Sequence, residues 1–384
     1  MNVSIRRKWR WLALALLALG LVGTVWLSVR VPTLLRRSAG ALGALQIVVE
    51  PLAFSRDGKT LLASGQQKPL LVLDTASGKI LKQLELGLDT SVCAFAPDGR
   101  TFVYGGWVVA SQPYATPDGP PITHLSPNVT IRDARDGRVL TTLADTAYPL
   151  GCQYSPDGAT LVMILSRRNR GLTIKSWDTS SWTERSSLAI PGSDFHCVPA
   201  LTPDARMFAL TDVSGSSVVL RDVTTGAVRA TLQSASDPAA SGLYWLAISP
   251  EGGTLAAAHD DGSVLVWNLR TGRPMATLRD GPIGRPRVVN LVFSPDGRCL
   301  VAQYVGSPSG TRIPLPFGLN RILNGGPSQH TDHALVVWDV ASGRRRGRID
   351  GDVARSPSVA ISPDSRTLAT WNGHPGIVLW DLGE

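Results

Sequence analysis

The segment His330-Thr331-Asp332-His333 sets two imidazoles three residues apart around a carboxylate. Such a donor set holds a transition metal when the backbone fixes all three groups on one side. No helical pattern surrounds the segment and no further strong ligand stands nearby in sequence, so these residues are expected to be solvated loop side chains. Cys93, Cys152, Cys197 and Cys299 contain no Cys-x-x-Cys spacing, and four cysteines in 384 residues make no disulfide framework. Gly105-Gly106 and the Gly-Ser-Pro-Ser-Gly run at 306–310 are too short and irregular to cradle phosphate. Asn128-Val129-Thr130 matches a glycosylation acceptor in form alone. His124, His196, His259 and His374 stand singly and are expected at turns or on the surface. No nucleophile, base and orienting group converge in this pattern, and no metal or cofactor is implied.

The elements that would position any such group are legible in a repeated turn. "FSPDGRCLVA", residues 293–302, joins an aromatic residue, a Ser-Pro-Asp-Gly turn and an apolar run. Proline presets φ, aspartate caps its own backbone and glycine tolerates positive φ, so one copy signals a hairpin. Seven copies align on the turn acids Asp57, Asp98, Asp157, Asp204, Glu251, Asp296 and Asp364, spaced by 41, 59, 47, 47, 45 and 68 residues. A period in the forties with two stretched members is a repeat array. Each repeat continues into a second β-rich run, as in "SVLVWNLRTGRPMATL" at 263 and "HALVVWDVASGRRRGRI" at 333. Four strands per unit follow, termed a to d: strand a leads into the first turn, b leaves it, c ends at the Trp-Asp position and d follows the second turn.

In these features residues 42–384 resemble the WD-repeat β-propeller family. Trp177-Asp178, Trp338-Asp339 and Trp380-Asp381 are literal Trp-Asp pairs. Leu73-Asp74, Arg132-Asp133 and Arg221-Asp222 keep the aspartate, whereas Trp267-Asn268 keeps the tryptophan. The Gly-His element usual in that family is missing, so its buried histidine-centred network is not expected here. The resemblance implies an all-β fold, a seven-bladed propeller of four-stranded antiparallel blades. The uniform turn and the Ala/Gly/Arg-rich composition suggest a divergent, bacterial type of repeat. Because the last copy has no strand d, residues 43–49, "GALQIVV", are expected to pair with the last blade and close the ring.

Enzymes built on this scaffold gather acids or histidines about the central channel. Strand side chains alternate faces. Three residues before the turn acid stand Phe54, Phe95, Tyr154, Leu201, Ile248, Phe293 and Ile361, a core row. The row beside it, Ala53, Ala94, Gln153, Ala200, Ala247, Val292 and Ala360, contains no ionisable residue. General acid–base or metal chemistry needs convergent charged or imidazole groups, and strand a supplies none. Cys93 and Cys152, five before their turns, are expected as small buried hydrophobes.

Residues 11–29, "WLALALLALGLVGTVWLSV", carry no charge and are about long enough to cross a bilayer as a helix. The expected organisation is a basic tail at 1–10, a transmembrane helix or signal anchor at 11–29, a linker at 30–41 and the propeller at 42–384. Arg6, Arg7, Lys8 and Arg10 precede the span and Arg30, Arg36 and Arg37 follow it. That bias favours the N-terminus in the cytoplasm and the propeller outside, in the periplasm. Residues 1–49 contain no Asp or Glu, so they hold nearly all of the formal +8 charge and leave the propeller close to neutral. Nucleic acid is therefore not an expected partner.

The two stretched spacings fall between strands b and c, at 105–128 and 305–332, and "SRRNRG" at 166–171 joins them on the same face of the ring. Candidate partner-binding residues there are Trp107, Tyr114, Arg167, Arg168, Arg170, Arg285, Arg287, Arg312, Phe317 and Arg321: aromatic anchors flanked by arginines suited to carboxylates. The expected function is a monomeric, membrane-anchored, non-catalytic scaffold for a protein partner. The alternatives are a propeller enzyme of hydrolase, lyase or quinone-dependent dehydrogenase type, or an envelope polymer-binding protein.

Overall fold

Tight turns at short intervals let each repeat fold back on itself, and in the computed structural model the described residues form seven four-stranded antiparallel sheets, the blades of a β-propeller. The structure describes residues 35–36, 50–64, 70–84, 88–108, 127–143, 148–167, 171–191, 197–212, 215–233, 243–280, 287–306, 332–350, 359–371 and 377–383. They belong to a unit spanning Leu34–Glu384; a separate unit, Met1–Thr33, which contains the apolar run 11–29, lies outside them. No helix among the described residues is long and apolar enough to cross a membrane.

Strands a to d run in chain order from the inside to the outside of each of the first six blades. In blade 1 they are Glu50–Phe54, Thr60–Ser64, Leu70–Asp74 and Ile80–Leu84. Blade 7 draws a, b and c from the end of the chain, Val359–Ile361, Thr367–Trp371 and Ile377–Asp381. Its outermost strand is Leu35–Arg36, with Leu35 opposite Asp381 and Arg36 opposite Trp380. Closure by a segment ahead of the first strand a is thus seen, but the paired residues come from the stretch expected to be linker. Residues 43–49 lie outside the described residues. An open strand edge selects its partner through backbone N–H and C=O groups, so apolar patterning at 43–49 is a poor guide to which residues pair.

Seven apolar layers lie between neighbouring blades, and each takes one member of the core row. Between blades 5 and 6, Ala256, Val264 and Val266 meet Phe293, Leu300, Tyr304 and Trp338. Strands b and c are covered on both faces: Leu161–Leu165 and Thr254–His259 are buried from end to end. That is why they read as unbroken apolar runs. Strand d alternates between exposed and covered positions because only one of its faces has a neighbour.

The turn between a and b is held by its serine. In blade 1 the Ser55 hydroxyl donates to Asp57 Oδ1 at 2.6 Å and accepts from Thr60 N–H at 3.0 Å, while Asp57 Oδ1 accepts from Lys59 N–H at 3.1 Å. The same exchange recurs at Ser155, Thr202, Ser249, Ser294 and Ser362. Blade 2 has Ala96 there and lacks it. Glycine follows the acid in left-handed conformation in five repeats, whereas Ala205 and Ser365 take positive φ in the other two. The Ser365 hydroxyl accepts from Asp296 N–H at 3.0 Å, a hydrogen bond from turn to turn across blades 6 and 7.

The turn between c and d carries a bulge in blades 1 to 6. The register slips so that Leu81, Leu140, Arg185, Arg229, Met275 and Arg346 have no residue opposite. A bulge bends the strand and re-aims one side chain. In blades 3 and 4 that side chain is an arginine paired with the aspartate ending strand c, Arg185 with Asp178 and Arg229 with Asp222.

Ser294→Ala is expected to cost about 1–3 kcal/mol, since it orphans a buried donor, and Ala96→Ser to add about 0.5–1.5 kcal/mol by supplying the missing exchange. Urea unfolding of the two variants measures both. A destabilised Ala96→Ser protein would show that the hydroxyl is not what holds the turn.

Candidate functional site

The strand ladders locate the face on which the expected binding residues lie. In blade 2, Trp107 pairs with Asp89 and Pro127 near the end of strand b, Thr101–Val108. Strand b of blade 3 ends at Arg167 opposite Gly171, and strand b of blade 6 at Gly306 opposite Asp332. Strand pairing thus extends into each stretch read as an insertion, and the three ladders end at the same end of their blades; 109–126, 168–170 and 307–331 lie outside the described residues. Trp107 and Arg167 belong to strands and not to loops. Arg287 is exposed at the start of strand a of blade 6, opposite Val305, at the mouth of the longest insertion. Tyr114, Arg168, Arg170, Arg285, Arg312, Phe317 and Arg321 lie outside the described residues.

The histidine–aspartate segment is also reassigned. Asp332 and His333 lie in strand c of blade 6, Asp332–Asp339, with His333 half-buried, because the ladder continues to the base of the insertion. His330 is outside the described residues. Among the described residues no group of three His, Cys, Asp or Glu side chains is placed to hold a metal. His259, expected at a turn or surface, is buried at the end of strand b of blade 5. Its Nδ1 lies 3.0 Å from Asp261 Oδ1, which also accepts from the Ser263 hydroxyl at 2.5 Å; Asp261 Oδ2 is 2.9 Å from Arg279. Burial opposes the charge on Asp261, but the Ser263 hydrogen bonds and the neighbouring His259 and Arg279 outweigh it and hold this carboxyl at about 2.

The row read as lining the channel packs instead against the layers between blades: Ala94, Ala200, Ala247 and Val292 lie against them and Ala360 within one. Ala53, Ala94, Gln153, Ala200, Ala247 and Val292 are half-buried and Ala360 is buried. Gln153, the one polar member, donates to the carbonyl of Tyr154 at 2.9 Å. Cys93 packs between blades 1 and 2 and Cys152 between blades 2 and 3, each with part of its surface open. Their dense surroundings push the Cys152 thiol up to about 12 and raise Cys93 further, so both are protonated thiols at neutral pH and poor nucleophiles. Cys197 and Cys299 are buried; Cys197 Sγ accepts from Thr211 N–H at 3.3 Å and Cys299 Sγ from Arg346 at 3.0 Å.

The opposite face, made by the turns, carries inter-blade grooves that sequence reading did not single out. Between blades 1 and 2 a groove of about 500 Å3 has an apolar floor of Leu62, Phe95 and Phe102 and a polar lip of Arg56, Asp98 and Arg135. Arg56 stands where other repeats place proline and donates to the carbonyl of Pro97 at 2.7 Å. Elsewhere the proline itself approaches the neighbouring turn, Pro363 3.5 Å from the Cβ position of Gly58 and Pro97 3.6 Å from that of Gly158, and grooves of about 500 and 220 Å3 remain beside them. The position corresponding to Gly99, next to Arg56, has nothing within 4 Å. Arg56 was the available signal, one departure from the Ser-Pro-Asp-Gly consensus.

Asp280, fully buried between blades 5 and 6, pairs with Arg345 and Arg348, and Arg348 also holds Asp350 at 2.6 Å. Because its charge is neutralised by two arginines in a junction, it locks blades together and is not a free acid.

Seven four-stranded blades, the last completed by a strand from ahead of the first, define a seven-bladed β-propeller. Residues 231–268 match the family model described as WD domain, G-beta repeat. That stretch begins in the outermost strand of blade 4, Val228–Gln233, and ends with strand c of blade 5, Val264–Asn268. Along 361 residues the chain is 23% identical to the guanine nucleotide-binding protein subunit beta of Saccharomyces cerevisiae, covering 87% of this chain and 77% of that protein. It is 25% identical over 279 residues to the guanine nucleotide-binding protein subunit beta of Zea mays, covering 67% of this chain and 66% of that relative.

Two outcomes follow from the electrostatics. Serine hydrogen bonds hold the carboxyls of Asp57, Asp74, Asp157 and Asp339 below the ordinary 3.8, and Asp178 and Asp222 lie lower still through Ser180 and Arg229 respectively. A depressed folded-state pKa contributes stability above the unfolded value that is lost as pH falls through the folded one. The urea midpoint is therefore expected to be level from about pH 7 to 5 and to fall below about pH 4; a midpoint that stays level at acid pH contradicts the assignment. Asp280→Ala, which takes the shared carboxylate from the half-buried Arg345 and Arg348 while Arg348 keeps Asp350, is expected to cost about 1–3 kcal/mol in the same measurement.

Proposed function

We propose that the chain is a membrane-anchored propeller that presents a protein-binding surface and carries out no chemistry of its own. The observation that carries this reading is where the ladders between strands b and c end. In blades 2, 3 and 6 they stay paired to Trp107–Pro127, Arg167–Gly171 and Gly306–Asp332, at the same end of each blade, and the sequence puts its insertions between those residues. Long loops on a rigid scaffold are where recognition concentrates. Among the described residues His259 and Asp261 face each other, but no hydroxyl or thiol hydrogen-bonds the imidazole as a nucleophile would, and Cys93 and Cys152 are protonated thiols. The relatives are named as subunits, which is to say as components of an assembly, and that favours a protein partner over a small substrate.

Anchoring rests on residues 11–29, an uncharged run between basic flanks. In this reading the N-terminus is cytoplasmic, the propeller stands outside the cytoplasmic membrane, and it acts as a monomer toward its partner.

Cross-linking in intact cells tests the surface. The full-length protein is expected to capture a defined protein that is lost when 109–126 or 307–331 is replaced by a short Gly-Ser linker, while the thermal transition of each variant stays within a few degrees of the parent. Retention of the same cross-linked protein in both variants would sink the reading. Protease added to spheroplasts is expected to remove a C-terminal tag; protection of the tag would put the propeller inside.

A further inference from the structure

We propose that the groove between blades 2 and 3 on the turn face binds one organic cation, an ammonium or guanidinium group, between the Trp182 ring and the carboxylates of Asp98 and Asp157. The site lies at the end of the blades opposite the insertions and goes beyond the function proposed above. Its lining includes Asp98, Thr101, Tyr154, Asp157, Thr179 and Trp182 and holds no lysine or arginine. The grooves on either side of blade 1 differ in this respect, since Arg56 lines both and Arg135 joins it in the second. At about 220 Å3 the groove is smaller than the pockets of roughly 300–1,000 Å3 that enclose whole small molecules, and suits a charged head on a short stem.

Trp182 gives the groove an aromatic wall against the preference of the backbone. In blades 1, 2, 4, 5 and 6 the N–H of Gly78, Gly137, Gly226, Gly272 or Gly343, each at positive φ, donates to the carbonyl of the residue that ends strand c. Blade 3 makes the same hydrogen bond to Asp178 from Trp182, at a φ of 57°. A bulky side chain is strained in the left-handed region, and strain of this kind gathers at ligand clamps. A Cβ at Gly137, Gly226 or Gly272 would approach Leu84, Leu188 or Leu232, on the outermost strand of the preceding blade. Trp182 accordingly extends from blade 3 toward blade 2, packing on the layer that holds Leu143 and Tyr154 while staying half-exposed.

The polar lining is rich in acceptors. The Tyr154 hydroxyl, on a side chain 4% exposed, has no hydrogen-bond partner among the described residues, with Thr101 and Asp98 near it. A buried hydroxyl without a partner is rare and calls for one. Asp98 lacks the hydroxyl that serves the other turn acids, because Ala96 replaces the serine, and its Oδ1 accepts from Arg100 N–H at 2.9 Å. Asp157 Oδ1 accepts from the Ser155 hydroxyl and from Ala159 N–H, which hold the carboxyl below 3.8 and ionised. Oδ2 of each aspartate is left without a hydrogen bond among the described residues. The Thr179 hydroxyl donates to the carbonyl of Gly158 at 2.6 Å, so it offers lone pairs to the groove. Neighbouring cations are engaged elsewhere, Arg56 with the carbonyl of Pro97 and Arg185 with Asp178 and Thr160, and the exposed Arg100 is not part of the lining. An N–H-bearing cation meets all of these groups: carboxylate and hydroxyl oxygens accept from it and the indole attracts its charge. An anion would face two carboxylates.

The test titrates the full chain in detergent micelles with butylammonium, and with butanol as its neutral counterpart, by calorimetry. Saturable binding of butylammonium to a single site is expected, and none of butanol. Trp182→Gly installs the residue that five other blades use, and Asp98→Asn keeps an acceptor for Arg100 N–H. Each is expected to weaken binding roughly tenfold, the scale of one cation–π or charge-assisted contact, with a thermal transition within a few degrees of the parent. Should Trp182→Gly lose its transition, Asp98→Asn alone decides. No saturable binding, butanol binding as tightly as butylammonium, or parental affinity in the folded variants would overturn the proposal. A capped Gly-Lys-Gly peptide separates the sources of the cation. Tighter binding than butylammonium assigns the site to a basic side chain of a protein partner and weaker binding to a free amine, and either result upholds a cation site.

Discussion

No blade of this ring can stand alone, because its middle strands are apolar on both faces. Leu161–Leu165 and Thr254–His259 are buried along their whole length, and the partners that bury them come from the next repeat. The stable unit is therefore the layer between two blades. A row of such layers leaves an exposed apolar face at each end unless the first blade meets the last, so closure is a requirement of the core and not an ornament of the topology. The blade 7–blade 1 layer, where Leu61, Ala63, Leu71 and Leu73 meet Ala360, Ala369, Ile377 and Leu379, is made of buried side chains like the others. The pairing of Leu35–Arg36 on Ile377–Asp381 then covers a backbone edge on blade 7 that would otherwise be open.

This dependence explains which features could be read from the chain. The turn acid, the serine two residues before it and the apolar row that follows are local, repeated seven times and fixed by hydrogen bonds within a few residues. Their spacing alone gives blade number, strand order and the position of strand c. Closure is a long-range event between chain ends, and nothing local distinguishes 43–49 from 35–36 as its strand. The insertion bounds fail for a related reason. Pro, Gly and Ser at 105–128 and 305–332 look like loop, yet 105–108, 127–128, 305–306 and Asp332 belong to ladders whose register is set from the other end of the blade. His259 and His333 were misplaced because a lone imidazole carries no pattern, whereas a strand will take one wherever Asp261 or a neighbouring blade can accommodate it.

The bulge at the turn between c and d shows how the rim can diverge while the core stays constant. At Leu81, Leu140, Arg185, Arg229 and Met275 its side chain is exposed, so its identity there is free of the packing that fixes strands b and c. Arg185 and Arg229 use that freedom to neutralise an aspartate, and Arg346 reaches Cys299 Sγ instead. Leu81, Leu140 and Met275 leave the corresponding Asp74, Asp133 and Asn268 to be satisfied by their own turns. Exposed leucine at this position brings no benefit to folding, so its recurrence on adjacent blades is a property of the rim surface.

The two ends of the blades are under different constraints, and that asymmetry decides where variation is tolerated. At the turn end, Ser-to-Asp and turn-to-turn hydrogen bonds together with Pro–Gly contacts tie each repeat to the next, and even Arg56, the departure in blade 1, is held by a carbonyl of blade 2. An insertion there would have to break contacts between repeats as well as within one. At the opposite end, the ladders of blades 2 and 6 run to Trp107 opposite Pro127 and Gly306 opposite Asp332 before the insertions begin. Extra chain at that end therefore leaves every layer intact, and the entropy of closing a longer loop grows only slowly with its length. Recognition can be rebuilt on that face without disturbing the ring, while the turn face and its seven layers supply the rigidity that makes such a face useful.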